Sequence, residues 1–272
     1  MTGASRGIGA GIAERLAAEG ADVAITARTL EHHPTLPGSL RETAERLERH
    51  GARVHTVVAD LTDEDQRGSI VPDVTATLGP VDILVNNAAA AIYQPLSEYP
   101  AKRRRLMLDV NLHTPIELTQ AVLPDMIEQG EGWVVNVSSG SAEHSSGPPF
   151  RTEGIALTIG FYGATKAALN RVTNAFAVEL YGRGVRVNTI EPRAAVLSEG
   201  AHALVGDMLS DDQIESLEAM VEATISLCDC DADTTGSVFV SLDLLDARGI
   251  EVQRLDGQGP YPGGFRVYRE EP

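Results

Sequence analysis

The chain has 272 residues, and only Cys228 and Cys230 are cysteines. That length allows a full hydrophobic core without disulfide bonds, so we expect a protein of a reducing compartment. Its 22 basic and 39 acidic residues give a net charge of −17, which argues against nucleic acid or an anionic membrane as the main partner. No apolar stretch approaches the ~20 residues of a membrane-spanning helix, and the first residues lack the layout of a signal peptide. The composition predicts an acidic, soluble, cytoplasmic protein.

Short β-branched segments alternate with helical patterns along the chain. The first helical pattern places Ile8, Ile12 and Leu16 on one face and ends at Gly20, and a second covers residues 161–180. Strands are predicted at residues 23–26, 54–58, 81–86, 133–138, 185–190 and 238–242. This alternation is typical of a parallel sheet covered by helices on both faces. No linker divides the chain, so we expect one domain over residues 1–272.

Two segments interrupt the alternation. Residues 31–40 contain two prolines and a glycine, which predicts a loop. Residues 140–160 contain the consecutive prolines Pro148 and Pro149, which predicts an irregular excursion. Long loops of this kind often act as functional lids.

A glycine-rich turn begins the first helix and contains Gly3, Gly7 and Gly9. Glycines permit a tight turn whose backbone N–H groups can approach a phosphate, and the positive end of the helix favours that anion. The strand that follows ends at Arg28, without the carboxylate that binds a ribose 2′-hydroxyl in NAD sites. Arg28, with Arg6 inside the turn, favours NADP(H) over NAD(H). A plain loop and a surface arginine are the alternative interpretations.

Tyr162 and Lys166 are four residues apart and therefore lie on one helix face. A tyrosine with an unperturbed pKa of ~10 is a poor acid–base group at neutral pH, and a neighbouring cation lowers that pKa. The pair is thus suited to donating a proton to a carbonyl or accepting one from an alcohol. Taken alone, a core tyrosine beside a solvated lysine is the simpler interpretation.

Seven motifs in a fixed order make the pattern specific. They are Thr2-Gly3-x3-Gly7-Ile8-Gly9, Asp60-Leu61, Asn86-Asn87-Ala88, Asn111, Val135-Asn136-Val137-Ser138-Ser139, Tyr162-x3-Lys166, and Val187-Asn188 with Pro192. With these motifs, strands and helices the sequence resembles the short-chain dehydrogenase/reductase family over nearly its whole length. Residues 36–40 and 191–194 further resemble a hydroxysteroid-dehydrogenase-like branch of that family.

The resemblance implies a Rossmann-type, doubly wound α/β fold with the strand order 3-2-1-4-5-6-7. It also implies an NADP(H)-dependent oxidoreductase acting on a carbonyl or secondary alcohol, with NAD(H) as a possible second cofactor. Tyr162 would be the acid–base catalyst, Lys166 would tune it and hold the nicotinamide ribose, and Ser139 would hydrogen-bond the substrate oxygen. Asn111 would hold the water through which Lys166 exchanges protons.

The resemblance also implies a set of cofactor contacts and no metal site. Asp60 would meet the adenine through its side chain and Leu61 through its backbone, and Ala195 is a candidate for the carboxamide contact. The full implied set is Gly3, Ser5, Arg6, Gly7, Ile8, Gly9, Arg28, Asp60, Leu61, Asn87, Ala88, Tyr162, Lys166, Pro192 and Ala195.

Four features depart from the family pattern. The family's central first strand precedes the Thr-Gly pair, but only Met1 precedes Thr2 here. We therefore expect unpaired ladder groups on its two neighbours, and either a natural start upstream or an impaired protein. Ser139 and Tyr162 are 162 − 139 = 23 positions apart, more than the family usually has, because of the 140–160 excursion. Arg193 and Ala89 each replace a common glycine.

The substrate and the assembly are less well defined by the sequence. Walls of the substrate pocket would come from residues 140–160 and 193–220, and neither segment carries a motif that identifies a molecule. The resemblance implies a homodimer or homotetramer formed through the helices that carry Asn111 and Tyr162. Two other functions stay open: a lyase or isomerase with a resident nucleotide, and a non-catalytic nucleotide-binding protein.

Overall fold

The structure is a computed structural model, and it describes residues 1–31, 36–150, 152–196 and 214–265. The helices are α1 (Gly7–Ala18), α2 (Leu40–Glu48), α3 (Glu64–Leu78), α4 (Ala101–Leu108), α5 (Thr114–Gln129), α6 (Gly160–Leu180), α7 (Leu217–Ile225) and α8 (Ser241–Arg248). The strands are β1 (Val23–Ala27), β2 (Val54–Val58), β3 (Ile83–Asn86), β4 (Gly132–Val137), β5 (Val185–Glu191), β6 (Ala195–Val196), β7 (Ile214–Glu215) and β8 (Val238–Val240). A π-helical turn, Asp109–His113, joins α4 to α5.

The main strands pair in parallel as β2-β1 and as β3-β4-β5-β8. Helices α1, α7 and α8 pack on one face of the sheet, where Ile12, Met220 and Leu245 meet Val135. Helices α3, α5 and α6 cover the other face. Because parallel strands are connected by helices and are buried on both faces, this arrangement is a doubly wound α/β fold. The expected fold class is confirmed.

The sheet is interrupted between β1 and β3, and Met1 to Gly3 bridge the gap. The amino nitrogen of Met1 donates to the carbonyl of Ala24 (2.9 Å), and the amide of Thr26 donates to the carbonyl of Met1 (3.0 Å). On the other side, the amide of Thr2 donates to the carbonyl of Val85 (3.1 Å). These bonds follow the ladder of a parallel strand, so Met1 and Thr2 lie at the central position of the order 3-2-1-4-5-6-7.

The rest of that central position is a cavity of about 350 Å³. Its walls come from both flanking strands and from the helices behind them, and they include Val23, Ile25, Leu84, Leu118 and Val122. Apolar walls combined with unjoined strand edges match the shape and chemistry of an extended apolar segment. Within the described residues β1 and β3 accordingly belong to separate sheets.

Two strand boundaries were predicted wrongly. Residues 238–242 were expected to form one strand, but β8 ends at Val240 and α8 begins at Ser241. The apolar run continues because Leu242, Leu244 and Leu245 are buried on the inner face of α8. A short apolar run does not distinguish a buried strand from a buried helix. Residues 81–86 were likewise too long, since β3 begins at Ile83.

The other expected elements lie close to their predicted positions. The predicted strands at residues 23–26, 54–58, 133–138 and 185–190 and the helix at residues 161–180 are confirmed within two residues. The 140–160 excursion includes the 3₁₀ turns Gly140–Ala142 and Gly154–Leu157, and its last residue, Gly160, begins α6. Residues 32–35 of the first loop and 197–213 of the 193–220 segment lie outside the described residues.

An apolar strand placed in the cavity should stabilise the fold. We expect a five-residue extension of valine, isoleucine and alanine before Met1 to raise the Tm by several degrees, at ~2–4 °C per kcal/mol. The extension buries apolar surface and completes ladder hydrogen bonds. Thermal unfolding followed by circular dichroism measures the change, with a glycine-serine extension of equal length as the matched control. An equal effect of the two extensions would contradict the prediction.

The apolar extension should also remove a pH dependence. Burial lowers the pKa of the Met1 amino group from 8.0 to about 6. Because the unfolded chain then binds more protons between these values, stability is lost as the pH falls from 8 to 6. An amide nitrogen at this position does not titrate, so the extended chain should lack this loss.

Candidate active site

The glycine turn lies where β1 and β3 end. Gly3 (φ +67°) and Gly7 (φ +55°) adopt the left-handed conformation that favours glycine. A β-carbon on Gly9 would collide with the carbonyl oxygen of Gly3, so the start of α1 packs directly on the turn. Arg6, the N-cap of α1, makes no side-chain capping hydrogen bond, and the first helical turn has no acidic side chain. The amide end of α1 therefore suits an anion.

Hydrogen bonds of Asn87 connect the glycine turn to the end of β3. Its Nδ2 donates to the carbonyls of Thr2 (3.0 Å) and Gly3 (3.2 Å). In return, Oγ1 of Thr2 accepts from the amides of Asn87 and Ala88, both at 3.0 Å. The structure thus brings together three residues that the sequence assigned to the cofactor site: Gly3, Asn87 and Ala88.

The two arginines of the predicted 2′-phosphate site differ in their surroundings. Arg6 donates from Nε to the carbonyl of Pro37 (2.7 Å) and from Nη2 to the carbonyl of Gly38 (3.0 Å). A β-carbon on Gly38 would lie 2.6 Å from the carbonyl oxygen of Ser5, so this loop lies closely over the glycine turn. Arg28 is exposed directly after β1. Arg6 is therefore held in place, whereas Arg28 is open to solvent.

Asp60 and Leu61 follow β2 at the same edge of the sheet. Oδ1 of Asp60 accepts from the amide (3.0 Å) and the hydroxyl (2.9 Å) of Thr62. Leu61 is buried, and its carbonyl accepts from Nη1 of Arg67 at 3.0 Å. The side chain of Asp60 and the backbone of Leu61 are thus both held in defined orientations. Ser5 is buried beneath the turn, and Ile8 packs against the core.

Tyr162 and Ser139 meet where α6 begins. A β-carbon on Gly163 would collide with the carbonyl oxygen of Ser141, so glycine permits the first turn of α6 to lie against the turn at Gly140–Ala142. The side chain of Ser139 is close enough to the Tyr162 hydroxyl to lower the pKa of that hydroxyl. Oγ of Ser139 also lies 3.0 Å from Oγ of Ser141. The hydroxyl groups of Ser139 and Tyr162 therefore lie near each other beyond the end of β4.

Lys166 is fully buried behind this pair. Its Nζ donates to the carbonyl of Val137 (2.7 Å) and lies 5.8 Å from the centroid of the Tyr162 ring. Burial lowers the pKa of Lys166 to about 8. Burial, followed by the nearby Tyr93, raises the pKa of Tyr162, while the hydrogen bond with Ser139 lowers it. The expected lowering of the Tyr162 pKa by Lys166 is thus reversed in this structure, because desolvation of the phenol dominates.

Asn111 is fully buried in the π-helical turn between α4 and α5. Its Oδ1 accepts from the amide of Ala90 (2.8 Å), and its Nδ2 donates to the carbonyl of Ala90 (2.9 Å). Nδ2 also donates to Oγ1 of Thr165 (3.0 Å), the neighbour of Lys166. The side chain of Asn111 therefore joins the segment after β3 to α6, near Tyr162 and Lys166 on that helix.

Pro192 and Ala195 follow β5, and Ala195 begins β6. Sequence reasoning missed the residue that holds this turn, Glu215, which bonds the amides of Arg193 and Ala194. It also missed Tyr93, whose ring lies edge-on to that of Tyr162 with centroids 5.9 Å apart. Both missed residues lie outside the motifs, so spacing carried no signal for them.

The described ranges were compared with the requirements of a metal site, a disulfide bond and a membrane-spanning helix, and they meet none of them. Within them, no cluster of three or more histidine, cysteine, aspartate or glutamate side chains is placed to hold a metal ion. Cys228 and Cys230 are unbridged and buried. None of the helices in the described part of the chain has the length and apolarity needed to cross a membrane.

Comparison with known protein sequences adds two relationships. A family model described as short chain dehydrogenase matches residues 1–205. Hydroxysteroid dehydrogenase-like protein 2 of Xenopus tropicalis is 31% identical over 273 residues, covering 97% of this chain but 60% of that protein. The chain therefore spans about 60% of the length of this relative, which carries the name of the branch suggested by residues 36–40 and 191–194.

Solved structures show the same similarity. A short chain dehydrogenase from Mycobacterium thermoresistibile has a TM-score of 0.78 and 29% identity, covering 92% of this chain and 86% of that one. The L-sorbose reductase of Gluconobacter frateurii, solved with NADPH and L-sorbose, has a TM-score of 0.73 and 26% identity, covering 88% and 92%. The shared fold and the matched residues lead to one conclusion: the chain belongs to the short-chain dehydrogenase family.

Proposed function

We propose that this chain is an NADP(H)-dependent oxidoreductase that interconverts a carbonyl and a secondary alcohol. The observation that carries the proposal is the convergence of Ser139, Tyr162 and Lys166 at the sheet edge that also holds the glycine turn. A nicotinamide cofactor, when bound, supplies or accepts the hydride. The L-sorbose reductase that contains NADPH supports the cofactor class.

The phosphate end of the cofactor fits the glycine turn. The positive end of α1 and the backbone around Gly3 and Gly7 would hold the pyrophosphate, and glycine at position 9 lets α1 pack directly on this turn. Arg6 and Arg28 would bind a 2′-phosphate. The segment that ends β1 offers no carboxylate to repel that phosphate.

The rest of the cofactor would lie along the same edge. Asp60 and Leu61 would contact the adenine, and Ala88 would border the cleft. Lys166 would bind the nicotinamide ribose, while Pro192 and Ala195 would line the nicotinamide end.

Tyr162 would exchange a proton with the substrate oxygen. Its raised pKa keeps the hydroxyl protonated, which suits donation to a carbonyl during reduction. Ser139 would hydrogen-bond the same oxygen and stabilise its developing charge. The ammonium of Lys166 has three N–H donors, and the carbonyl of Val137 accepts one of them. The other two would be available to the nicotinamide ribose and to the side of the site that faces Tyr162.

Asn111 would hold the water that reaches Lys166. Because Ala90 and Thr165 occupy its side chain, this role would belong to the backbone of the π-helical turn. Such turns occur frequently at functional sites.

We also propose that the protein is a homodimer or homotetramer. Val178 and Tyr181 near the end of α6 are 73% and 68% exposed, which supports a contact between copies through this helix.

Removing the Tyr162 hydroxyl should stop the chemistry and spare binding. We expect Tyr162→Phe to reduce turnover by about 10²–10⁴-fold, with NADPH affinity changed less than about twofold. The measurement is NADPH oxidation with a panel of ketones and ketoses, beside a fluorescence titration of NADPH. Tyr181→Phe, at the exposed residue that follows α6, is the matched control. Retained turnover would contradict the assignment, and NADPH that returns to its starting redox state in each cycle would indicate a lyase or isomerase.

Removing Arg28 should weaken the preference for NADPH. Charge-assisted hydrogen bonds contribute about 1.5–3 kcal/mol, so Arg28→Ala should raise the Kd for NADPH about 10–100-fold and leave that for NADH unchanged. Arg53→Ala is the control, because Arg53 is exposed and pairs with Asp22. Equal losses for both nucleotides would argue against 2′-phosphate recognition.

Lys166 should make stability rise with pH. Its pKa is 10.5 when unperturbed and about 8 when buried, so the unfolded chain binds more protons between these values. The free energy of unfolding of the wild type should therefore increase, relative to Lys166→Met, as the pH rises from 8 to 10. Denaturant unfolding at several pH values measures this, with Lys102→Met, at an exposed lysine, as control. Parallel pH profiles for the wild type and Lys166→Met would refute it.

A further inference from the structure

Glu215 is a buried carboxylate with a network of its own. It is 5% exposed and belongs to β7, which pairs with β6 so that Glu215 lies opposite Val196. Its Oε2 accepts from the backbone amides of Arg193 (2.8 Å) and Ala194 (3.1 Å). One carboxylate oxygen therefore holds two successive amides of the turn between β5 and β6.

Ser241, the first residue of α8, completes the network. Its Oγ donates to the carboxylate and lies 2.8 Å from both Oε1 and Oε2 of Glu215. The same Oγ accepts from the amide of Arg193 at 3.1 Å. The turn is thus anchored both to β7 and to the start of α8.

The partners of Glu215 are neutral dipoles. Burial, with a smaller contribution from Asp243, raises the pKa of Glu215 to about 7, although the hydrogen bonds from Ala194, Ser241 and Arg193 lower it. The guanidinium of Arg193 lies 3.6 Å from Asp243. In the described part of the chain no cationic side chain pairs with Glu215, and burying an unpaired carboxylate is expensive, so its presence here points to a function of its hydrogen bonds.

The anchored turn lies in the proposed cofactor site. It connects Pro192 to Ala195, and both are assigned above to the nicotinamide end. Arg193 occupies a position where the family commonly has glycine. Backbone amides that are buried need an acceptor, and Glu215 provides it for Arg193 and Ala194.

We propose that Glu215 is a positioning residue for the nicotinamide end of the cofactor, because it holds the Arg193–Ala194 turn so that the backbone at Ala195 meets the carboxamide. This assignment rests on the proposed function. Glu215 acts through the turn and does not touch the cofactor itself.

Two ligands separate this role from a general structural one. NADPH spans both ends of the site, whereas adenosine 2′,5′-bisphosphate lacks the nicotinamide end. We expect Glu215→Ala to raise the Kd for NADPH about tenfold or more, since two buried amides lose their acceptor, and to change the Kd for the bisphosphate less than about twofold. Calorimetric titration of both ligands, at one salt concentration, measures the two constants.

Glu215→Gln tests the hydrogen-bonding geometry. The amide oxygen of glutamine can accept both backbone amides, so this variant should recover most of the NADPH affinity. Glu218→Gln makes the same change three residues away and should bind both ligands as the wild type does. If Glu215→Ala fails to fold, Ser241→Ala should show a smaller loss of affinity confined to NADPH.

Each remaining outcome overturns one of the assignments. Wild-type NADPH affinity in folded Glu215→Ala, or equal losses for both ligands in Glu215→Ala or Ser241→Ala, would refute the positioning role alone. A wild-type protein that binds neither ligand would refute the proposed function, and the role of Glu215 would fall with it.

Discussion

The backbone hydrogen bonds of Met1 and Thr2 are the interaction on which the rest of the site depends. Across the described residues they are the ladder bonds that join β1 to β3, and therefore join the two parts of the sheet. One part carries Arg28 and Asp60, and the other leads into Ser139. A cofactor that spans both parts would meet them in register only while this connection holds. The same bonds position the glycine turn, so the proposed phosphate cradle and the continuity of the sheet share one physical origin.

Polar side chains continue this connection along the edge of the sheet. Asn87 holds the glycine turn, Asn111 holds the backbone at Ala90, and the same Asn111 bonds Thr165 beside Lys166. Asn111 is buried and has partners for both of its polar atoms, and Asn87 is half-buried with its Nδ2 bonded to two carbonyls. Satisfied networks of this kind stabilise a single arrangement of the elements they join. The phosphate cradle and the candidate acid–base group are therefore positioned by one continuous set of contacts.

The sequence predicted what depends on local pattern. The strands and the long helix carrying Tyr162 follow from β-branched runs and four-residue spacing, and the motifs occur at strand ends that parallel topology gathers at one edge. Properties that depend on tertiary packing were missed or reversed. The sign of the Tyr162 pKa shift depends on how deeply the phenol is buried, which spacing does not report. Glu215 serves backbone amides, which leave no mark in a motif, and Leu242 belongs to an apolar run that suits strand and helix equally.

The contact between Gly163 and the turn at Gly140–Ala142 has a consequence for how this site accommodates change. The turn at Gly140–Ala142 forms the base of the excursion and packs against α6. The hydroxyl groups of Ser139 and Tyr162 are therefore positioned by this base and not by the loop that extends from it. Loop closure becomes only ~0.6 kcal/mol less favourable for each doubling of length, so the protruding part tolerates insertion or exchange. Under the proposed function, reactivity and selectivity would thereby be separable in this chain: the loop could be rebuilt to admit different molecules while the arrangement of Ser139 and Tyr162 beneath it stays constant.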